Sequence, residues 1–465
     1  MFDPAIYTQR RARLKEQLKS GLILFLGNEE SPMNYPANPF HFRQDSSFLY
    51  FFGLDFPSLA GIIDIDKDRD IMFGNDVGIE DIIWMGFQPS LKERAAKAGV
   101  KETFPLNQLE EAVKRAAQQG KKVHYLPPYR PETELKLSRL LGIKPGEAKK
   151  DAPEELIKAV VAQRSVKIKE EIEEIEKARA VTYEMHTAAM KMAKPGVYER
   201  EIVGKMEGII LAAGFNLAFP TILTVNGQIL HNHYHGNFLE EGQLLVNDSG
   251  AESSLHYAAD ITRTIPVGGK FSPKQREIYE IVLSAQEAAI QSIQPDMKYR
   301  DVHLKAANVI ADGLKALDLM RGDTDEAVKE GAHALFFPHG IGHMMGLDVH
   351  DMEDLGEDYV GYDDQIKRSG QFGIAYLRLA KELQPGYVVT VEPGIYFIPA
   401  LIDKWKGEKK FAGFINYDKV EQYRDFGGVR IEDDILVTES GSRVLGEPVP
   451  KTPDEVEEIM LGVAS

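Results

Sequence analysis

Eight of the twelve histidines fall in two short stretches, residues 231–256 and 333–350. The first begins ILHNHYHGN, where His231, His233 and His235 alternate. On a strand they would share one face, a disposition suited to binding a metal or steadying an oxyanion. The next stretch, LLVNDSGAESSLHYAADITRT, runs an apolar segment up to Asp248 and reaches Asp260 twelve residues later. If the two arms pair as a hairpin, the carboxylates stand side by side. Buried anions tolerate that only by sharing a proton or a cation. FPHGIGHMMGLDVHD carries His339, His343 and His350 among glycines that permit close backbone approach. VVTVEPGIY ends a β-branched run on Glu392, and GGVRIEDDILVT alternates Arg430 with Glu432. Taken singly, each has a plainer explanation: aspartates at strand ends cap turns, an acidic run makes a hairpin turn, and a histidine satisfies a local hydrogen bond.

Competing chemistries lack their residues. The chain has no cysteine, which excludes disulfides, thiolate metal sites and a cysteine nucleophile. HExxH, HxxEH, P-loop and GxSxG motifs are missing, and glycines 340, 342 and 346 miss the dinucleotide fingerprint by one residue. A metal-assisted hydrolase using carboxylates and one histidine is left. The ligand types suit manganese, cobalt or zinc. With 55 basic and 72 acidic residues the net charge is -17, the wrong sign for a general nucleic-acid binder. No apolar run approaches the ~20 residues that span a bilayer. The N-terminus is polar, without the apolar core of a signal peptide, so a cytoplasmic protein is expected.

Two kinds of chain must position these residues. At 465 residues, 43% hydrophobic and 27% charged, the protein has room for two or three domains with real cores. The first ~150 residues alternate strand-like and helix-like runs, which predicts an α/β domain. Helices are expected at Tyr7–Lys19, Leu91–Ala98 and Gln108–Gln118, and strands at Leu22–Leu26, Ser47–Gly53, Ala60–Ile65, Asp70–Phe73 and Val123–Leu126. A polar turn at 149–153 precedes a long amphipathic helix through Ile168, Ile172, Ile175, Ala178, Met185 and Met192, stopped by Lys194-Pro195-Gly196. The boundary is placed so that residues 1–165 and 166–465 form separate domains. In the second, Ser272-Pro273-Lys274-Gln275 opens a helix running to about Ile293. Strands are expected at Gln243–Val246, Tyr387–Val391 and Ile435–Val437, and a loop insertion at Gly356–Ala375. No repeat of fixed period is visible.

The five fragments DSGAE, DITRT, HGIGH, VEPGIY and RIEDD occur in that order between residues 248 and 434. Together they resemble the pita-bread metallopeptidases, which include methionine aminopeptidase, prolidase and aminopeptidase P. The segment with Arg43, Phe48 and Gly53 resembles the creatinase-type N-terminal domain of aminopeptidase P and prolidase, which methionine aminopeptidases lack. The implied fold is α/β (α+β): a creatinase-like N-terminal α/β domain followed by a C-terminal pita-bread domain. The implied metal ligands are Asp248, Asp260, His343, Glu392 and Glu432, with Asp260 and Glu432 bridging two divalent ions, manganese before cobalt or zinc. A hydroxide between the metals would attack the scissile carbonyl. Glu392 would also shuttle a proton, His231 and His350 would steady the carbonyl and tetrahedral intermediate, His339 would line the leaving-proline side, and Arg430 would steady the acidic cluster.

The implied activity is release of the first residue from peptides with proline second. IIWMGFQPS resembles a bacterial aminopeptidase P segment whose tryptophan, here Trp84, reaches a neighbouring subunit's active site. A prolidase restricted to Xaa-Pro dipeptides is the alternative. A third reading is the metal-free binding module that some pita-bread domains have become. Loss of ligand residues marks those branches, and all five ligand types are present here. A homodimer or homotetramer is implied, with a proline-containing peptide as substrate. Two features depart from the family. Asp248 and Asp260 stand one residue further apart than usual, which an extra turn residue or a bulge absorbs. The insertions at 351–385 and 400–427 exceed those of short members.

Overall fold

In the computed structural model, which describes residues 1–462, the chain divides into two compact units. One comprises residues 1–164 with 352–359, the other residues 165–351 with 360–465.

The first unit is built on a five-stranded mixed sheet. Its strands are β1 (Leu22–Leu26), β2 (Ala60–Asp64), β3 (Arg69–Gly74), β4 (Glu102–Pro105) and β5 (Val123–Tyr125), in the order β4-β3-β2-β1-β5. β1 and β2 are buried at every position, as the apolar runs LILFL and AGII require, and Asp64 at the end of β2 is paired with Lys121 at 2.6 Å. Arg11 on the first helix is fully buried and satisfied: it donates to Asp70 at 2.8 Å, Phe51 O at 2.7 Å and Ala98 O at 2.9 Å.

The expected strand at Ser47–Gly53 is a helix, Ser46–Phe52. Asp45 caps it by accepting from the Phe48 N–H at 2.8 Å, and Gly53 ends it in the left-handed region (φ 64°). The run is buried on all sides, so no polar face marks a period, and the end signals decide between helix and strand.

The second unit contains two similarly built halves. Each opens with two helices joined by a short link: Lys169–Met192 with Glu199–Ala212, and Pro273–Ser292 with Tyr299–Ala316. Each then supplies antiparallel strands. The first half gives β6 (Asn216–Leu217), β7 (Ile222–Thr224), β8 (Leu244–Ser249), β9 (Ala251–Glu252) and β10 (Ile261–Pro266), with β8 central in the sheet β10-β8-β7. The second gives β11 (Val388–Val391), β12 (Gly394–Tyr396), β13 (Gly428–Arg430), β14 (Asp433–Thr438) and β15 (Gly441–Val444). Here β11-β14-β15 form one sheet and β12-β13 another. Among the described residues no helix is long and apolar enough to cross a membrane.

Candidate metal centre

Asp248 sits on β8, whose six residues are all buried, and pairs across the sheet with Thr262 on β10 and Ile222 on β7. Asp260 lies one residue before β10, so the hairpin brings the two aspartates to the same end of the sheet. Gly250 is needed at its turn: a Cβ there would lie 1.7 Å from the Ala259 carbonyl oxygen. The His343 segment lines up along β11. Thr390 N–H donates to His343 O at 3.0 Å, Met345 N–H to Val388 O at 3.0 Å, and Glu392 N–H to Ile341 O at 2.8 Å. This close approach explains Gly342, whose Cβ would stand 2.1 Å from Thr390 O. Glu392 follows β11 directly, and Glu432 occupies the break between β13 and β14, tied to β10 by its N–H to Thr262 O at 3.0 Å.

These segments converge on one cavity of about 290 Å³ lined by Asp248, Asp260, His343, Glu392 and Glu432 together with His231, His339, His350 and Arg430. The nine residues to which the resemblance gives metal-binding or catalytic roles therefore line one cavity, and His235 does not. Ligand atoms of Asp260, His343 and Glu432 lie within 4.8 Å of one another. His343 Nε2 is 3.4 Å from Asp260 Oδ2 and 3.9 Å from Glu392 Oε1. Its Nδ1 is 2.9 Å from Met344 O, which places the proton there and leaves the Nε2 lone pair aimed at the acids. His350 packs edge-on against His343 with ring centroids 4.3 Å apart. His231, His233 and His235 do not share a strand face. They lie in an irregular segment, held where His233 Nδ1 and His235 Nδ1 meet the carbonyls of Thr221 and Leu223 at 3.4 and 3.2 Å. Side-chain-to-backbone bonds replace the ladder that alternation suggested.

The electrostatics mark the acids as short of positive charge. Burial, then Glu432 and Asp248, push Asp260 well above the usual carboxylate range. Burial, then Glu392 and Asp248, do the same to Glu432. Burial raises Glu392 to about 7 despite the opposing field of Arg430. Asp260 Oδ1 and Glu432 Oε1 are buried without a hydrogen-bond partner. Buried carboxylate oxygens left over in this way fit a divalent cation with hard oxygen and imidazole ligands.

Arg430 joins three elements. It donates to Asp248 Oδ2 at 2.6 Å, to the Tyr396 hydroxyl at 2.9 Å and to Thr262 Oγ1 at 3.2 Å. The Tyr396 hydroxyl lies 2.8 Å from His339 Nε2, and His339 Nδ1 lies 2.8 Å from Gly340 O, so the tyrosine donates to Nε2. Burial, then Arg430, hold His339 down to about 3, a neutral ring at working pH. Thr262 donates to Glu432 Oε2 at 2.7 Å.

Tyr396 and Thr262 belong to VEPGIY and DITRT, and sequence reasoning gave them no role. Their positions four residues after Glu392 and two after Asp260 were the available signal. Tyr376 and Arg378 of the 351–385 insertion also line the cavity. His186, in mid-helix, is fully buried behind the site. Its Nε2 is 3.1 Å from Ser249 O, and Asn247 Nδ2 donates to its Nδ1 at 3.2 Å, so both neighbours of Asp248 are held. A lone helical histidine has no spacing that announces such a contact.

Comparison with known proteins agrees with this geometry. Residues 173–439 match the model of metallopeptidase family M24, and residues 7–125 match that of the aminopeptidase P N-terminal domain. The chain is 29% identical to the Xaa-Pro dipeptidase of Homo sapiens, covering 98% of this chain and 94% of that one. It is 34% identical to a probable Xaa-Pro aminopeptidase of Fusarium vanettenii, covering 90% and 87%. The structure of Zn-substituted Escherichia coli aminopeptidase P in complex with product superposes with a TM-score of 0.82 at 28% identity, over 100% of this chain and 99% of that one. The chain belongs to metallopeptidase family M24, with an aminopeptidase P-type N-terminal domain ahead of a pita-bread domain.

Proposed function

We infer that the protein is a metal-dependent exopeptidase that removes the N-terminal residue from peptides with proline second. One observation carries this: four carboxylates and a histidine meet in one cavity with two buried carboxylate oxygens unpartnered, in a chain whose relatives are Xaa-Pro peptidases. Asp248, Asp260, His343, Glu392 and Glu432 would hold two divalent cations, manganese before cobalt or zinc. When bound, such cations supply Lewis-acid polarisation of the scissile carbonyl and activation of water. Proline at the second position removes the amide hydrogen that general peptidases engage, and the apolar lining of Phe219, Pro220, Ile222 and Val349 suits a compact ring.

The chain's own groups then have distinct tasks. Glu392, standing directly after β11 at the cavity wall, accepts a proton and returns it to the leaving imide nitrogen. His231 and His350 donate to the substrate carbonyl and to the tetrahedral oxygen as charge develops. Neutral His339, oriented by Tyr396, lines the leaving-proline side. Arg430 pairs with Asp248 and holds its carboxylate in place at the cavity. Residues 1–165 and 166–465 are the functional N-terminal and catalytic domains in this proposal. It further assigns a cytoplasmic enzyme acting as a homodimer or homotetramer. Support for self-association is the exposed apolar side chains Ile79, Ile83, Trp84 and Phe87.

A strict prolidase is the second reading, favoured by the human dipeptidase's match to nearly the whole chain. Hydrolysis of Gly-Pro against an Xaa-Pro-Xaa tripeptide, with manganese and then with chelator, decides. Chelator-sensitive cleavage of the tripeptide at its Xaa-Pro bond is expected. Cleavage of the dipeptide alone makes the protein a prolidase. No cleavage with any divalent metal overturns the peptidase reading in favour of a binding module.

A further inference from the structure

His231 stands on an irregular segment, residues 225–237, that forms one wall of the cavity together with Leu230 and His233. A segment without a helix or strand must be held by something else if its side chains are to keep a position. Glu199 holds it. It is the first residue of the helix Glu199–Ala212 and is fully buried. One carboxylate oxygen accepts from the Val225 N–H at 2.8 Å, the other from the Asn237 N–H at 3.2 Å. The Asn237 side-chain amide reaches both oxygens, at 3.1 and 3.0 Å. The Glu199 N–H in turn donates to Asn237 O at 3.1 Å, and the Arg200 N–H to His235 O at 3.1 Å. The two ends of the segment thus meet on one side chain.

A buried carboxylate is costly unless its oxygens are satisfied. Here all four side-chain bonds come from neutral N–H donors at the two ends of the loop. The desolvation cost of Glu199 is therefore offset only while the loop neck is closed, which makes closure the low-energy state. Inside the neck, Asn232 Nδ2 donates to Thr224 Oγ1 at 2.9 Å, and His235 Nδ1 meets Leu223 O at 3.2 Å. Both anchors are on β7, whose Ile222 pairs with Asp248. The wall carrying His231 is so referenced to the strand carrying Asp248.

We propose that Glu199 is a positioning residue: it closes the neck of loop 225–237 and thereby sets where His231 stands against the substrate. The proposal rests on reading His231 as a substrate-contacting group. Glu199→Gln keeps the shape but turns an amide NH2 toward N–H donors. Asn237→Ala keeps the carboxylate and removes two of its bonds, and serves if the first variant does not fold.

The test has two arms. Peptide-resolved hydrogen exchange on metal-free protein should show residues 226–236 exchanging roughly ten-fold faster or more in both variants, with 244–249 and 261–266 unchanged. Steady-state cleavage of an Xaa-Pro-Xaa tripeptide with manganese should show kcat/KM lowered about ten-fold by E199Q, with no further loss in a His231→Ala background. Unchanged loop exchange overturns the clamp. Losses from E199Q and H231A that multiply overturn its link to His231. A wild-type protein that cleaves no Xaa-Pro peptide removes the functional reading instead, and the exchange arm still decides whether Glu199 holds the loop.

Discussion

Three consecutive acids, Glu432, Asp433 and Asp434, are all buried, yet they serve two opposite environments. Glu432 faces the cavity, where Asp248, Asp260 and Glu392 crowd it, and its pKa is driven well up by burial and by those neighbours. Asp433 faces away. Burial would raise it, but Arg263, Lys451 and Arg179 outweigh burial and hold it below the usual carboxylate range. Its oxygens accept from Arg263 at 2.7 Å, and from Lys451 and Gln286 at 3.0 Å each. Asp434 stands between the two. Arg179 is 3.6 Å away, too weak against burial, and its pKa rises to about 7. The layer behind the site carries its own counter-charges. The front layer sets only Arg430, on Asp248, and Arg378 of the cavity lining against its four carboxylates. An acidic surplus confined to the cavity wall is what a cation-binding site needs, and the neutralised layer behind it is what keeps that surplus from disrupting the fold.

The contrast predicts opposite phenotypes. His343→Ala or Glu432→Gln should cut turnover by more than the ~10–100-fold typical of losing a group that merely supports a metal ligand. The metal-free melting temperature should stay level or rise, because a repelling acid or an acid-facing ring has gone. Calorimetry and peptide cleavage on the same preparations read both, and full turnover with metal bound would break the assignment of the front layer. Arg263→Met attacks the rear layer. It leaves Asp433 with Lys451 and Gln286 alone and frees the carbonyls of Thr262, Glu432, Val449 and Pro450. A cost of about 3–5 kcal/mol in urea unfolding is expected. A melting curve like wild type would mean that the rear charges are not what holds the hairpin.

Between the layers lies Tyr396. Its hydroxyl accepts from Arg430 and donates to His339, so Tyr396→Phe removes one bond from each while leaving the ring packing intact. The expected loss is ~10–100-fold in kcat/KM, with stability nearly unchanged. Equal activity would show that Arg430 is oriented by Asp248 and Thr262 alone.

The front layer was largely legible in the sequence because its residues sit at chain breaks that leave marks. Asp248 ends an apolar run, Glu392 precedes Pro-Gly, and His343 lies between glycines whose Cβ atoms would collide. The rear layer left almost none. Arg263 sits inside DITRT as an ordinary strand arginine, and its partner Asp433 is 170 residues away. Glu199 carries no mark in the sequence, its partners standing 26 and 38 residues further on, and the expectation of a strand at Ser47–Gly53 failed because so apolar a run shows no polar face. The two-half architecture of the second unit leaves no fixed period in the sequence, since the halves share helix–link–helix geometry while their strand segments differ in length and spacing. Residues whose partners are local, or whose backbone is constrained, announce themselves. Residues whose partners are distant do not.

His186 gives the smallest effect and the sharpest test of the rear layer. It is neutral in the folded protein, with burial, then Arg263, lowering its pKa to about 3. In the unfolded chain it returns to 6.5. Between pH 6.5 and 3 the unfolded state therefore binds the extra proton, so stability falls as pH is lowered through this window. The slope is about 1.4 kcal/mol per pH unit for this one group. Above pH 6.5 both states are neutral at this position and its contribution is flat. His186→Gln cannot take up that proton and keeps an amide able to meet Asn247 or Ser249. Urea unfolding of metal-free protein at several pH values between 4.5 and 6.5 should therefore show a shallower acid slope for H186Q than for wild type, by up to one proton, on top of a constant offset for the altered bonds. His339, lowered to about 3, and His333, lowered to about 4, contribute slopes of the same sign and remain in both proteins, so only the difference between the two slopes is assigned to His186. Identical slopes would mean that His186 is not held neutral in the fold, and that the strand carrying Asp248 is not referenced to the helix behind it in the way the hydrogen bonds indicate.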